Sequence, residues 1–350
     1  MNKAIEHSDR KRKYLFYVTL SYSFGVLRPI DTRLKAMGYQ VAWFIPKGSE
    51  AEQFITAEDQ LFQDVKQAIQ FQSDAVLAPG NYIPDFFPGI KVQVFHGFDS
   101  GKKNKFNIRG FFDLYCTQGP SITSAFERIN DGTCEIVETG WAKLDPLFTE
   151  HHDAEAYRLQ QPLILYAPTF SPKLTSTYAL AEQIKQLSLN KPWQWLVKLH
   201  PKATAEEIKL FQSMQSDKLR FIETGDVIPL LQAADVLLSD TSSILAEFAL
   251  QGKPAVAFNN RKPAPWLINF TEAELLEAEL EKALKRDPNQ LKKIEQYCQT
   301  IHPYRDGLSS ERTVNAVDAL IEKGTKHLKA KPMNLLRKFK IRKKLGYYRW

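Results

Sequence analysis

The chain has 350 residues, of which 43% are hydrophobic and 25% charged, with a formal net charge of +7. That composition excludes a wholly disordered polypeptide, and no window of eighteen uninterrupted apolar residues is present to form a spanning helix. The three cysteines (Cys116, Cys134, Cys298) are odd in number and lack ligand spacing. They argue against a disulfide framework or a cysteine zinc site and for a reducing, cytoplasmic compartment.

The basic N-terminus runs into KYLFYVTL (13–20). This apolar run is short and no small-residue cleavage site follows it, so it reads as a first strand rather than a signal peptide. A helix through Met37 follows and stops at Gly38, and YQVAWFIP (39–46) returns as the second strand. Residues 56–71 read as helical. Further strands are expected at DAVLAP (74–79), VQVFHG (92–97), DLYCTQG (113–119) and CEIVETG (134–140). Pro120 suits the first turn of a helix.

A polar linker beginning at His151-His152 separates a second series, which opens with PLILYAPTF (162–170). Helices are expected near 177–188, 204–215, 226–234 and 242–251. They alternate with strands WQWLVKLH (193–200), LRFIE (219–223), VLLSD (236–240) and PAVAF (254–258). Strand–helix alternation is the signature of βα units, so an α/β chain of two Rossmann-like domains with parallel sheets facing a cleft is expected. The domains are drawn at 1–150 and 151–323, with SSERTVNAVDALIEK (309–323) as a terminal helix that could stay or cross back.

Residues 324–350 form a separate segment. They hold ten Lys or Arg and no acidic residue; removing those ten charges from +7 leaves −3 for residues 1–323. Leu335, Leu336, Phe339, Ile341 and Leu345 lie between the charges, and Tyr347, Tyr348 and Trp350 end the chain. On a helix 335, 336 and 339 share a face, with 341 and 345 off it. Basic residues beside apolar anchors suit an anionic membrane surface better than nucleic acid, which is usually met by a folded basic face. The competing reading is a solvated tail or one that binds another partner.

In parallel α/β sheets ligands bind at the carboxyl ends of strands. His96, Thr169, His200 with Lys202, and Asp240-Thr241-Ser242-Ser243 all fall at such ends. Asp240 or Thr241 can cap a helix whose first-turn amides and Ser242 and Ser243 hydroxyls would suit a phosphate. Glu247, further in, could accept from ribose hydroxyls; the bland alternative is an ordinary capped helix with Glu247 facing solvent. His200, bracketed by Lys198 and Lys202, suits a polyanion and could stabilise charge on a leaving phosphate. His96 lies in FHGFDSGKKNK and is a candidate general base. Against both stands the reading of satisfied structural histidines. No DxD triplet, GxxxxGK[ST] or GxSxG motif occurs, so neither a metal nor a cofactor is expected.

These residues, taken in order, resemble the CDP-glycerol glycerophosphotransferase family of teichoic-acid primases and polymerases. The matching strings are VQVFHG (92–97), TGWAKLD (139–145), ILYAPTF (164–170), VKLHPK (197–202) and LLQAADVLLSDTSSILAEFALQGKPAVAF (230–258). The resemblance implies a GT-B fold and carries the family's two functional histidines onto His96 and His200. It also carries the family's D-x-S-S phosphate motif onto Asp240, Ser242 and Ser243. Phe95 replaces the family's Trp, Phe98-Asp99 replaces Thr-Pro, and Gly140-Trp141-Ala142-Lys143-Leu144-Asp145 stands for G-Y-P-R-N-D. The nucleotide half is the better matched.

The implied reaction moves a glycerol-phosphate unit from a CDP-linked donor to a hydroxyl of an envelope polymer or lipid-linked acceptor, releasing CMP. The enzyme would sit on the inner face of the cell membrane. The CMP-sugar transferases of the Kdo and sialic acid kinds share several of these motifs and are the alternative. An epimerase-like reading is weaker because its Asp-Ser-Gly-Gly signature is absent, and a scaffold for the tail is weaker still.

Overall fold

The structure, a computed structural model, describes residues 11–98, 106–149, 154–158 and 160–348. The chain divides into two compact units, Met1–Asp145 with Leu308–Trp350, and Pro146–Gly307. In chain order the first unit contributes β1 (Lys13–Tyr17), α1 (Ser23–Ala36), β2 (Gln40–Phe44), β3 (Gln60–Phe62), α2 (Val65–Gln70) and β4 (Ala75–Ala78). There follow β5 (Ile90–Gln93), β6 (Leu114–Thr117), α3 (Pro120–Glu127) and β7 (Glu135–Glu138), and then α4 (Asp145–Thr149) at the boundary.

These strands form a seven-stranded sheet in the order β3-β2-β1-β4-β5-β6-β7, and every pairing is parallel. The strand order reverses between β1 and β4. Strands β4 and β6 are buried at every residue, as a sheet covered on both faces requires. Trp43 stacks on Phe24 and meets Phe16 edge-on. Phe44, Phe87 and Tyr17 form a second aromatic group. Burying one such large apolar side chain contributes about 1.5–3 kcal/mol.

The second unit continues with β8 (Leu163–Tyr166), α5 (Thr177–Asn190), β9 (Gln194–Val197), α6 (Ala205–Gln212), β10 (Leu219–Phe221) and α7 (Ile228–Ala233). It is completed by β11 (Val236–Ser239), α8 (Ile244–Ala249), β12 (Ala255–Phe258), β13 (Ile268–Phe270), α9 (Leu276–Leu284) and α10 (Pro288–Ile301). Its six strands pair in parallel in the order β10-β9-β8-β11-β12-β13, the order of a dinucleotide-binding Rossmann sheet. Its core gathers Tyr166, Trp195 and Phe211 with the aliphatic residues of α5 and α9.

Three expectations are corrected. Residues 56–71 are not one helix. Gln60–Phe62 pairs with β2, and the Asp64 carboxylate then accepts from the amides of Lys66 and Gln67 to start α2. The helix expected at 242–251 spans only Ile244–Ala249. The terminal helix α11 (Ser309–Lys323) belongs to the first unit, not to the second with 151–307.

That return is held by side chains far apart in sequence. The Asp145 carboxylate accepts from the Ser309 amide at 2.9 Å and the Ser310 amide at 2.7 Å, satisfying orphan donors at the start of α11. Farther along, Asp318 meets Arg12, Tyr14 and Tyr39.

The basic segment is not detached either. It crosses the first unit and forms α12 (Leu335–Leu345). Arg342, only 3% exposed, grips Asp85 through both guanidinium nitrogens at 2.5 and 3.1 Å. Ile341 is buried, Tyr347 packs on Phe86, and the Asn334 amide donates to the Arg109 carbonyl. A Cβ on Gly110 would stand 2.6 Å from the Pro332 ring, so the strap requires glycine there. Trp350 lies outside the described residues, as do the doublet His151-His152 and 99–105 of the FHGFDSGKKNK loop. No helix among the described residues is long and apolar enough to cross a membrane.

Candidate active site

In the first unit the site grows from the end of β5. The strand stops at Gln93, earlier than the expected 97, and Phe95 takes a left-handed φ of 50°. For a bulky aromatic residue this conformation is strained and persists only where its surroundings fix it. Here the Phe95 ring packs against Tyr115 and Phe126, and its carbonyl accepts from the Trp141 indole at 3.3 Å. The Gln118 amide holds the Gly97 carbonyl at 2.7 Å. The kink takes His96 out of the sheet toward the loops that follow β1 and β4.

There His96 Nδ1 lies 3.1 Å from the Pro79 carbonyl oxygen, and the ring stacks on Tyr22 at 4.9 Å. A carbonyl can only accept, so Nδ1 carries the proton of the neutral imidazole and Nε2 carries the lone pair. The three loops follow β1, β4 and β5, beside the place where the strand order reverses. Tyr22, Pro79 and Trp141 were not singled out as site residues. The sequence signal for Tyr22 and Pro79 was their place in loops at strand ends, and Trp141 also lies within the TGWAKLD string (139–145) that carries the family resemblance.

In the second unit the three central strands β9, β8 and β11 supply the site. Beyond β9, the backbone amide of Lys202 donates to His200 Nδ1 at 3.1 Å. Nδ1 is therefore unprotonated and the neutral ring carries its hydrogen on Nε2, the reverse of His96. Burial pulls the His200 pKa below the ordinary 6.5, and the charges of Lys198 and Lys202 add to the shift. Neutral His200 is thus an Nε2–H donor. Its ring lies 4.3 Å from that of Phe170, and the Lys202 ammonium sits over the same Phe170 ring.

Asp240 plays a different part from the helix cap expected of it. It is fully buried, and its carboxylate accepts from the Thr169 amide at 3.0 Å and from both the amide and hydroxyl of Ser176. It clasps the loop after β8 to the start of α5 instead of capping α8. Burial raises its pKa, and these hydrogen bonds oppose the shift. Thr241 likewise does not cap α8: its hydroxyl accepts from the Arg261 amide at 3.1 Å. Ser242 and Ser243 occupy the turn before α8, and the Ser243 side chain makes no capping bond. Glu247 is 4% exposed, so the solvent-facing alternative is overturned.

Thus Thr169, His200, Lys202 and Asp240 converge around the carboxyl ends of β8, β9 and β11, with Ser242, Ser243 and Glu247 following Asp240 in the chain. Residues 96–319 match the family model described as CDP-Glycerol:Poly(glycerophosphate) glycerophosphotransferase. The chain belongs to that family.

Among curated relatives, the teichoic acid glycerol-phosphate primase of Bacillus subtilis (strain 168) is 26% identical over 53% of this chain and 52% of its own length. The Bacillus spizizenii primase is 34% identical over 28% of this chain and 26% of that protein. The chain thus spans about half or less of the length of these relatives.

Among solved structures, the wall teichoic acid polymerase TagF in a variant soaked with CDPG is similar over 89% of both chains, with 15% identity and a TM-score of 0.65. S. aureus MnaA in complex with UDP is similar over 92% of this chain and 99% of that one, with 14% identity and a TM-score of 0.63. At such identities the likeness establishes the fold, which is GT-B. The family match favours the glycerophosphotransferase reading over the CMP-sugar alternative, which draws no support from these likenesses.

Proposed function

We propose that this chain transfers glycerol phosphate from CDP-glycerol to a hydroxyl of a cell-envelope polymer or lipid-linked acceptor. The acceptor oxygen attacks the phosphorus that bears the glycerol, the bond from that phosphorus to the bridging oxygen breaks, and CMP departs with the electron pair. The proton of the attacking hydroxyl passes to Nε2 of His96. The Nε2–H of His200 and the ammonium of Lys202 stabilise charge on the donor phosphates as the bridging oxygen leaves. Ser242 and Ser243 contribute hydroxyls and amides to the same phosphates, and Glu247 and Thr169 complete the nucleotide side.

The observation that carries this assignment is the opposite tautomers of the two histidines. His96 is held as an acceptor by the Pro79 carbonyl, and His200 as a donor by the Lys202 amide. An acceptor for the proton of the attacking hydroxyl and a donor toward the leaving phosphate suit phosphoryl-type transfer to an alcohol.

The second part of the proposal concerns place. The face of α12 that does not pack on the protein exposes Leu336 (81%) and Phe339 (48%), with Met333 (73%) just before the helix. Arg337, Lys340 and Lys343 are exposed beside them. Apolar anchors among cations support peripheral binding to the anionic inner face of the cell membrane, where a lipid-linked acceptor would be met.

Incubating the protein separately with CDP-glycerol, CMP-Kdo and CMP-sialic acid tests the donor. Turnover with CDP-glycerol is expected, and turnover with a CMP-sugar alone would reverse the assignment.

A further inference from the structure

Between α12 and the body of the first unit runs a groove of about 330 Å³, and its chemistry is two-sided. Phe111 and Ile341, both buried, and the ring of Tyr82 give it an apolar floor. Around that floor stand Arg109, Arg337, Lys340 and Lys344. No acidic residue lines it, and among the described residues none of these four cations pairs with a carboxylate. The neighbouring cations of the strap differ: Lys331 is held by Asp113, and Lys338 and Arg342 by Asp85. Four unneutralised cations over an apolar floor are complementary to an anion carrying a hydrocarbon chain.

The surroundings of the groove connect it to His96. Tyr82 and Asn81, which both line it, belong to the loop that begins with Pro79, the partner of His96 Nδ1. The Gln93 amide donates to both Gly80 and Asn81 at 3.1 Å, tying that loop to the end of β5. Lys344 donates to the Tyr82 hydroxyl at 3.3 Å and also lines a second cavity of about 400 Å³. That cavity is walled by Thr19, Ser21, Lys47, Ser49 and Glu50, and the next residue after Ser21 is Tyr22, which stacks on His96. One cation therefore borders an apolar-floored groove on one side and, on the other, a hydroxyl-rich cavity whose wall includes Ser21, the chain neighbour of the Tyr22 that stacks on the candidate base.

We propose that the groove under α12 binds the phosphorylated lipid end of the acceptor. Its hydrocarbon chain lies on Phe111 and Ile341, and its phosphate is held by Lys340, Lys344, Arg337 and Arg109. The hydroxyl-bearing head extends past Lys344 toward His96. The proposal rests on the transferase reading for the identity of the acceptor, but the binding it describes requires no turnover.

The test is a calorimetric titration of the full chain, without donor, by farnesyl phosphate, farnesol and inorganic phosphate in turn. Farnesyl phosphate should bind at least ten-fold more tightly than either fragment. Lys340→Ala with Lys344→Ala should weaken it ten-fold or more; both positions are exposed, so the fold is not at stake. Equal affinity for farnesol, or an unchanged double variant, would overturn the proposal even in an active enzyme. A diazirine-bearing farnesyl phosphate gives a second readout on the unaltered protein. Labelling should fall on peptides containing Tyr82 or residues 337–344, and labelling confined elsewhere would count against the groove. Failure to use CDP-glycerol would instead count against the transferase reading and leave these titrations standing.

Discussion

The Pro79 carbonyl accepts a hydrogen bond from His96 Nδ1 at 3.1 Å, and this single contact dictates which ring nitrogen can take a proton. Because proline supplies only a carbonyl at that position, the contact has one polarity. The imidazole turns its basic nitrogen away from the backbone, and Tyr22 stacked on its face limits how the ring can turn.

His96→Ala should therefore lower kcat by about 100-fold or more while leaving CDP binding nearly intact. Steady-state kinetics and calorimetry with CDP separate the two effects. A variant with wild-type kcat would show that His96 is a structural residue.

His200→Ala should lose a comparable factor of about 100 and also bind CDP-glycerol more weakly, since the donor Nε2–H belongs to the phosphate side. Its pKa, lowered by burial and then by Lys198 and Lys202, should titrate below 6.5 in a histidine NMR titration. Lys202→Gln should move it back up. As pH falls below 6.5 the unfolded chain takes up the proton before the folded one, so this group's contribution to stability declines toward acid. A His200 pKa above 6.5 would contradict the environment described.

Asp240→Ala removes the acceptor shared by Thr169 and Ser176 and leaves buried donors without a partner. Unsatisfied groups of this kind cost about 1–3 kcal/mol each, so urea denaturation should show a loss of at least that size. Asp240→Asn should be milder because one oxygen remains. If Asp240→Ala lost donor binding with full stability, the clasp would not be its principal role.

Much of the candidate site could be picked out before the fold was known, and the reasons differ by residue. His96, His200 and Asp240 stood out because polar residues interrupt apolar strands where parallel sheets place ligands. The role of Asp240 was not legible, because its partners Thr169 and Ser176 lie 71 and 64 residues away. The return of α11 depends on Asp145, and the docking of the basic segment on Asp85, 257 residues from Arg342. Local periodicity carries no information about such pairs. In residues 335–345 the apolar pattern looked imperfect because two surfaces share one helix: Ile341 packs inward while Leu336 and Phe339 face out.

That division makes the proposed membrane contact testable without removing the strap. Leu336→Glu with Phe339→Glu should abolish sedimentation with anionic liposomes, and in the parent protein added salt should weaken it. The melting temperature should change little because both side chains are exposed. Undiminished sedimentation would contradict the proposed role of this face.

Attack at the glycerol-bearing phosphorus with release of CMP can be followed by phosphorus-31 NMR of a reaction with CDP-glycerol and acceptor. The pyrophosphate resonances of the donor should disappear as CMP and a new phosphodiester appear in equal amounts. Release of CDP in place of CMP, or a donor left intact while a CMP-sugar is consumed, would contradict it.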